Sequence, residues 1–378
     1  MKRKIQGFTM LAIVTVFAAG YAIQSKADTE KTVTITEDVR LESSLSDSAI
    51  GVSHEGTIPV EIPVSETSNY TGFLGNQIIF NRDGATNRVS IPELEESEIA
   101  AREFNEVSEN GNRALSRDGA QVYVMDLESG TEKEIGSGAA MDEYYFADAE
   151  GNEVIHITDT SEKIQIQTIE VATLQIENWD LTSLFKLDGL YLSNIRKDKD
   201  GIYVTGESID QGPGLYHLNY DGELRLIIAL PESDSPILGS VMNSYDFLDP
   251  DNIIFNGMYN EKSGIFLMDL LSGEVTQLVA GGEDEEGIWT PSYKLSPDKE
   301  KLLFDTPVQV GDGYKTNIYM AEIMDGKLVN EVQIMGNADL YAIISMAGAW
   351  SANSKTAYVG TATADDKFID AVEIFTIE

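Results

Sequence analysis

A chain of 378 residues with no cysteine and 64 acidic against 26 basic residues excludes a disulfide-stapled scaffold, a thiol nucleophile and a thiolate metal centre. Its formal charge of −38 repels nucleic acid and anionic lipid and favours cations and basic partners. The length allows one large domain or two ordinary ones, and without disulfides a hydrophobic core must supply the stability.

The chain opens with Lys2, Arg3 and Lys4, continues through an apolar run from Phe8 to Ile23, and reaches small residues ending at Ala27. This order of charge, hydrophobe and small residue is that of a secretory signal peptide over residues 1–27, with Sec-type export to the periplasm, cell surface or medium. An uncleaved N-terminal membrane anchor is the alternative. Thr9, Thr15 and Gly20 interrupt the run, which falls short of the roughly 20 residues a spanning helix needs. No later segment reads as a membrane span. The leader holds four of the 26 basic residues and no acid, so the rest of the chain sets 22 basic against 64 acidic residues, a net −42. The acids are spread along the chain, as on a solubilising surface.

Residues 28–67 are rich in Ser, Thr and Glu and read as a linker, ending in the alternating "TIPVEIPVS" that predicts one strand. Over residues 68–378, short runs of Ile, Val, Tyr and Phe alternate with Gly, Asn, Asp and Ser turns, an all-β texture. The runs repeat. "LSRDGAQVYVMDLESG" begins at Leu115, "FLDPDNIIFNGMYNEKSGIFLMDLLSG" at Phe247, "LSPDKEKLLFDT" at Leu295 and "WSANSKTAYVG" at Trp350. Anchors at Ser116, Asp148, Asp198, Asp249, Ser296 and Ser351 set a later spacing near 50 residues, the span of a four-stranded blade. On this alignment Asp118 and Asp251 hold the place of Asp298, a turn residue whose carboxylate accepts backbone N–H bonds. An antiparallel unit this small cannot bury both of its faces alone, and radial stacking into a β-propeller solves that. The blades fall at 68–104, 105–138, 139–182, 183–235, 236–284, 285–338 and 339–378. This makes seven, or six if the first unit belongs to the linker. The last unit is short of strands, and the N-terminal strand is placed to close the ring.

The stretches "VYVMDLESG" (122–130), "IFLMDLLSG" (265–273) and "IYMAEIMDG" (318–326), with the "SPD" turn at 296–298, resemble the repeat of TolB-like, WD40-like propellers. The resemblance covers about residues 75–378. It implies a propeller that contacts other envelope proteins, without implying any one activity.

Catalytic signals are sparse. The three histidines, His54, His156 and His217, offer no spacing that brings two imidazoles to one zinc ion, and no GxSxG elbow occurs. No cofactor is required by the sequence. Ca²⁺ is the candidate, because Asp198, Asp200 and Glu207 match the third, fifth and twelfth positions of a calcium loop; Arg196 stands where that loop needs its first carboxylate. The same stretch also reads as strand, turn and strand. Trp289 and Trp350 sit near blade junctions and are read as core packing, or as ligand-stacking groups if they line the channel mouth. Two functions fit. One is a non-catalytic binding or scaffold module, expected as a monomer, for a protein, peptide or cell-envelope polymer of basic character. The other is a propeller enzyme with a channel-bound divalent cation, lactonase-like or a polysaccharide-active hydrolase or lyase.

Overall fold

The computed structural model describes residues 50–63, 70–74, 77–91, 95–108, 111–139, 142–148, 150–160, 162–187, 192–230, 242–284, 287–310, 313–338, 348–362 and 368–377. The signal and most of the linker therefore lie outside the described residues. The described residues form strands and turns, with no helix among them. The first strand, β1 (Val52–Pro63), precedes the regular units. Blade 1 is β2 (Tyr70–Leu74), β3 (Gln77–Arg82), β4 (Ala85–Ser90) and β5 (Glu96–Ala100). Blade 2 is β6 (Phe104–Val107), β7 (Arg113–Asp118), β8 (Gln121–Asp126) and β9 (Glu132–Ser137). Blade 3 is β10 (Glu143–Phe146), β11 (Glu153–Asp159), β12 (Ile164–Glu170) and β13 (Ile176–Asp180). Blade 4 is β14 (Ser193–Lys197), β15 (Gly201–Ser208), β16 (Gly212–Asn219) and β17 (Leu224–Ala229). Blade 5 is β18 (Met242–Asp249), β19 (Asn252–Tyr259), β20 (Lys262–Asp269) and β21 (Val275–Ala280). A two-stranded hairpin, β22 (Gly282–Asp284) and β23 (Gly287–Trp289), leads into blade 6. Blade 6 is β24 (Tyr293–Leu295), β25 (Lys301–Val310), β26 (Gly313–Met324) and β27 (Lys327–Ala338). Blade 7 is β28 (Gly348–Trp350), β29 (Thr356–Ala362) and β30 (Phe368–Ile377), with β1 as its fourth strand. All seven four-stranded sheets are antiparallel.

The expected seven blades are present, and the N-terminal strand closes the ring. β1 pairs with β30 from Val52↔Ile377 to Pro63↔Phe368. It is the outermost strand of its sheet, so Pro59 and Pro63, which lack an N–H, cost no ladder bond on the open side. The closing strand begins five residues before "TIPVEIPVS", inside the stretch that composition assigns to the linker.

Packing follows from continuous apolar runs in the central strands. Each junction between neighbouring blades holds its own apolar cluster, and the cluster between blades 7 and 1 completes the circle with Ile78, Phe80, Val372 and Tyr358. Alternation inside one strand serves both neighbours. Leu302 and Phe304 pack toward Ile254 and Ile265 of blade 5, whereas Leu303 packs toward Ala357 and Val359 of blade 7. Each such side chain contributes about 1.5–3 kcal/mol by leaving water.

The turn at residues 296–300 joins β24 to β25. Ser296 Oγ accepts the Lys301 N–H at 2.9 Å, and Asp298 Oδ1 accepts the Glu300 N–H at 3.1 Å and the Ser296 hydroxyl at 2.6 Å. The same first turn starts at Ser351, whose Oγ accepts the Thr356 N–H at 2.9 Å, and at Asp148, whose Oδ2 accepts the Glu153 N–H at 2.8 Å. One anchor is corrected. Ser116 lies inside β7, the second strand of its blade, and Asp118 ends that strand. The true counterpart of Ser296 in blade 2 is Ser108, whose Oγ accepts the Arg113 N–H at 3.0 Å. The fourth residue of the turn is left-handed throughout: Gly111 at φ 75°, Gly151 at 71°, Lys299 at 65° and Ser354 at 57°. Lys299 therefore occupies a position that a glycine fills without strain.

Two outcomes follow. Asp298→Ala should lower stability by about 1 kcal/mol, read as a shift in urea midpoint at constant slope. Burial works to raise the Asp298 carboxyl, but Lys301, Ser296 and the Glu300 N–H outweigh it and hold its pKa below the ordinary value. A carboxyl lowered on folding stabilises above its unfolded pKa and loses that contribution as pH falls through the folded value. The gap between wild type and variant should therefore narrow below about pH 4. Separately, a chain beginning at residue 64 removes β1 and bares the β30 edge. It should melt at lower temperature and self-associate, measured by calorimetry and sedimentation.

Candidate functional site

In every blade the first strand lies innermost. β2 approaches both β6 and β28, and β6 approaches β10, as neighbours around an axis require. Four of these strands carry polar groups that interact across the junctions of blades 3 to 6: Tyr145 on β10, Arg196 on β14, Tyr245 and Asp246 on β18, and Tyr293 on β24, with Tyr245 and Tyr293 buried in the apolar clusters between blades. Burial raises all three phenols. The Arg196 guanidinium lies close enough to act on each of them in the opposite sense, and Asp246 adds to the rise at Tyr245 and Tyr293. These phenols therefore stay protonated at physiological pH, as hydrogen-bond donors rather than bases. Tyr293 spends its proton on Ile254 O at 3.1 Å.

Deeper polar side chains fasten the connections between blades. The fifth residue of the second strand repeatedly takes this task. In β3, Asn81 donates to Phe104 O at 2.8 Å and accepts the Phe104 N–H at 3.1 Å. In β19, Asn256 donates to Pro291 O at 2.9 Å and accepts the Ser244 N–H at 3.1 Å. In β25, buried Asp305 accepts the Ser292 N–H at 2.8 Å. In β7, Arg117 gathers the carbonyls of Gly119 at 3.1 Å, Asp142 at 3.0 Å and Gly138 at 2.9 Å, together with that of Ala139.

The Arg117 staple carries a second layer. Asp142, at the end of the stapled loop, lies 3.1 Å from His156 Nε2, and His156 Nδ1 lies 2.8 Å from Gln167 Oε1. Tyr144 stacks on the imidazole at 4.1 Å. A Cβ at Gly138 would meet the Asp142 carboxylate and the Tyr144 hydroxyl, so a larger residue there would push this pair aside. Sequence reading placed His156 mid-strand and missed its partners. They come from two strands and a loop, and no local motif links them.

The sequence-derived candidates are dispersed. Asp198 Oδ1 accepts the N–H groups of Asp200 and Gly201, both at 2.8 Å, and caps the β14–β15 turn. Glu207 lies near the far end of β15, opposite Pro213, and pairs with Lys186. A strand thus runs between the positions that a calcium loop would bring to one ion. Gly201 is explained by its backbone, because a Cβ there would strike the Leu218 carbonyl. Among the described residues, no group of three or more His, Asp or Glu side chains is arranged to hold a metal ion. Trp350 is buried between blades 6 and 7, its indole N–H on Lys294 O at 3.1 Å. Trp289 is half-buried, with its indole against Gly282 across the β22–β23 hairpin. His54 bonds Glu373 at 2.7 Å across the closing strands, and His217 Nε2 lies 3.6 Å from Asp198.

The ring is uneven at the mouth reached by the hairpins between second and third strands. In blades 1 and 2 the second strand has 6 residues, in blade 3 it has 7, in blades 4 and 5 it has 8, and in blade 6 it has 10. The β25–β26 pairing runs unbroken from Lys301↔Glu322 to Val310↔Gly313. Four extra residues lift this hairpin about 13 Å beyond those of blades 1 and 2. With β22–β23 leading into the same blade, the described residues raise a wall at blade 6.

Arg117→Met leaves four carbonyls without their donor and frees the 138–142 loop. A loss of about 2 kcal/mol is expected, read by urea unfolding, with Arg117→Lys recovering part of it.

No family model matches the chain, and no curated protein matches it in sequence. Among solved structures, an oligogalacturonate lyase in complex with manganese aligns with TM-score 0.55 at 11% identity, over 88% of this chain and 98% of that one. The oligogalacturonate lyase of Vibrio parahaemolyticus aligns with TM-score 0.51 at 10% identity, over 87% and 98%. A chain of a mitotic checkpoint complex also aligns with TM-score 0.51 at 10% identity, over 94% and 97%. At such identities the likeness is one of fold, and the protein is a seven-bladed β-propeller.

Proposed function

We propose that this is an exported binding propeller of the TolB-like kind, whose uneven mouth holds an elongated protein, peptide or cell-envelope polymer. The observation that carries this reading is the raised hairpin of blade 6. A wall on one side of the axis gives an extended ligand a surface to lie along. The net −42 beyond the leader favours a basic ligand and speeds its approach at low salt. A second reading, a propeller enzyme acting on polysaccharide with a divalent cation, is supported by the likeness to oligogalacturonate lyases.

One comparison separates the two. Residues 308–315 replaced by Asn-Gly would leave Pro307 and Thr316 joined by a two-residue hairpin. Wild type should co-sediment with cell-envelope material, and the trimmed variant should lose this at an unchanged melting temperature. Equal retention by both proteins would refute the mouth as the binding surface. Release of unsaturated uronate products from oligogalacturonate by wild type with added Mn²⁺ would favour the enzyme.

A further inference from the structure

On the face of the first turns, the seams on either side of blade 3 are bridged at two equivalent positions. They are the first residue of the second strand and the second residue of the fourth. In blade 2 these are Arg113 and Lys133. Arg113 donates to Gly151 O at 2.8 Å, and Lys133 donates to Val171 O and Ala172 O, both at 2.7 Å. All three carbonyls belong to blade 3 or the turns that serve it. In blade 3 the same positions hold Glu153 and Glu177, and Lys197 of blade 4 reaches back to them at 2.6 and 2.9 Å. The registers Val89↔Glu96, Met125↔Glu132 and Ile169↔Ile176 place Ser97, Lys133 and Glu177 alike.

In blade 1 the two positions hold Gln77 and Ser97; Gln77 lines a pocket of about 290 Å³ against blade 2, and Ser97 adjoins it through Arg88. Its floor is Ile79, Ile99 and Leu127. Its far wall carries Gly111, Leu127 and Glu128, the counterparts of Gly151, Val171 and Ala172. Matching bonds fix that correspondence: Leu127 N donates to Asn112 O at 2.9 Å as Val171 N donates to Asn152 O at 2.8 Å. The turn shapes agree too, with Gly111 at φ 75° and Gly151 at 71°. Glu128 adds a carboxylate where blade 3 has Ala172. Arg88 also lines the pocket and donates from Nε to Ser97 Oγ at 3.1 Å.

We propose that this seam binds a lysine- or arginine-type side chain presented by a partner peptide. The aliphatic stem lies on Ile79, Ile99 and Leu127. The cationic head takes the Glu128 carboxylate and the carbonyls of Gly111 and Leu127, the contacts that Arg113 and Lys133 make one seam further on. The pocket lies on the face opposite the walled mouth, so it stands or falls apart from the reading above.

The test is titration of the full chain with tetralysine, with Nα-acetyl-lysine methylamide and with its uncharged norleucine analogue, followed by calorimetry and NMR. Both lysine probes should bind and the norleucine probe should not. Glu128→Gln should weaken binding about tenfold, as loss of a charge-assisted bond does. Gln77→Arg with Ser97→Lys installs the cations of blade 2, and should raise the melting temperature and abolish binding. Tetralysine bound equally by this double variant and by wild type at matched ionic strength would assign binding to the acidic surface at large and overturn the proposal. If the double variant does not fold, an unchanged affinity in Glu128→Gln overturns it alone. Binding of the small amide with exclusion of tetralysine would overturn the peptide as its source.

Discussion

Everything in this molecule depends on each sheet being covered on both faces by its neighbours. A four-stranded antiparallel sheet with one bare apolar face is unstable in water, and here no blade has one, because apolar clusters fill every junction around the ring. The same requirement explains why β1 must travel back to β30. Without it the seventh blade would be thinner than its neighbours and would expose the long β30 edge. The acidic surface adds self-repulsion that the core has to overcome, which makes the closing pair more important.

Two-sided burial sets the fate of the polar groups. Connections between blades must pass over the ends of apolar sheets, and their backbone groups need partners there. Asn81, Arg117, Asn256 and Asp305 supply them from inside the second strands. Asp148, Ser296, Asp298 and Ser351 serve the same need at the blade corners, as turn caps. The blades differ most at the second strand of blade 6, the longest among the described residues, and at the seams, where blade 2 carries Arg113 and Lys133 and blade 1 carries Gln77 and Ser97.

Most of the architecture was legible. Repeat spacing, apolar strands and Gly-containing turns, which depend on residues adjacent in sequence, pointed to six or seven blades with a candidate closing strand, and the ring has seven, closed by β1. The phase of one repeat was not. "LSRDG" and "LSPDK" share letters, yet Ser116 sits in a second strand while Ser296 opens a first turn. The side-chain bond to the residue five positions on identifies Ser108 instead, and letters alone do not reveal a bond. Asp198, Asp200 and Glu207 fit a calcium template by count, and β15 holds Glu207 away from the other two because an extended strand covers about 3.3 Å per residue.

The sequence by itself determined the strands, the turns and their number, since alternation, glycine at left-handed positions and proline at edges act locally. Which residues meet was decided only by the closed ring. Lys197 of blade 4 finds Glu153 of blade 3, and Arg113 and Lys133 of blade 2 find Gly151 and Val171, because radial stacking brings positions some forty residues apart into one seam. Those meetings depend on the register between neighbouring sheets, a property that no single stretch of the chain contains.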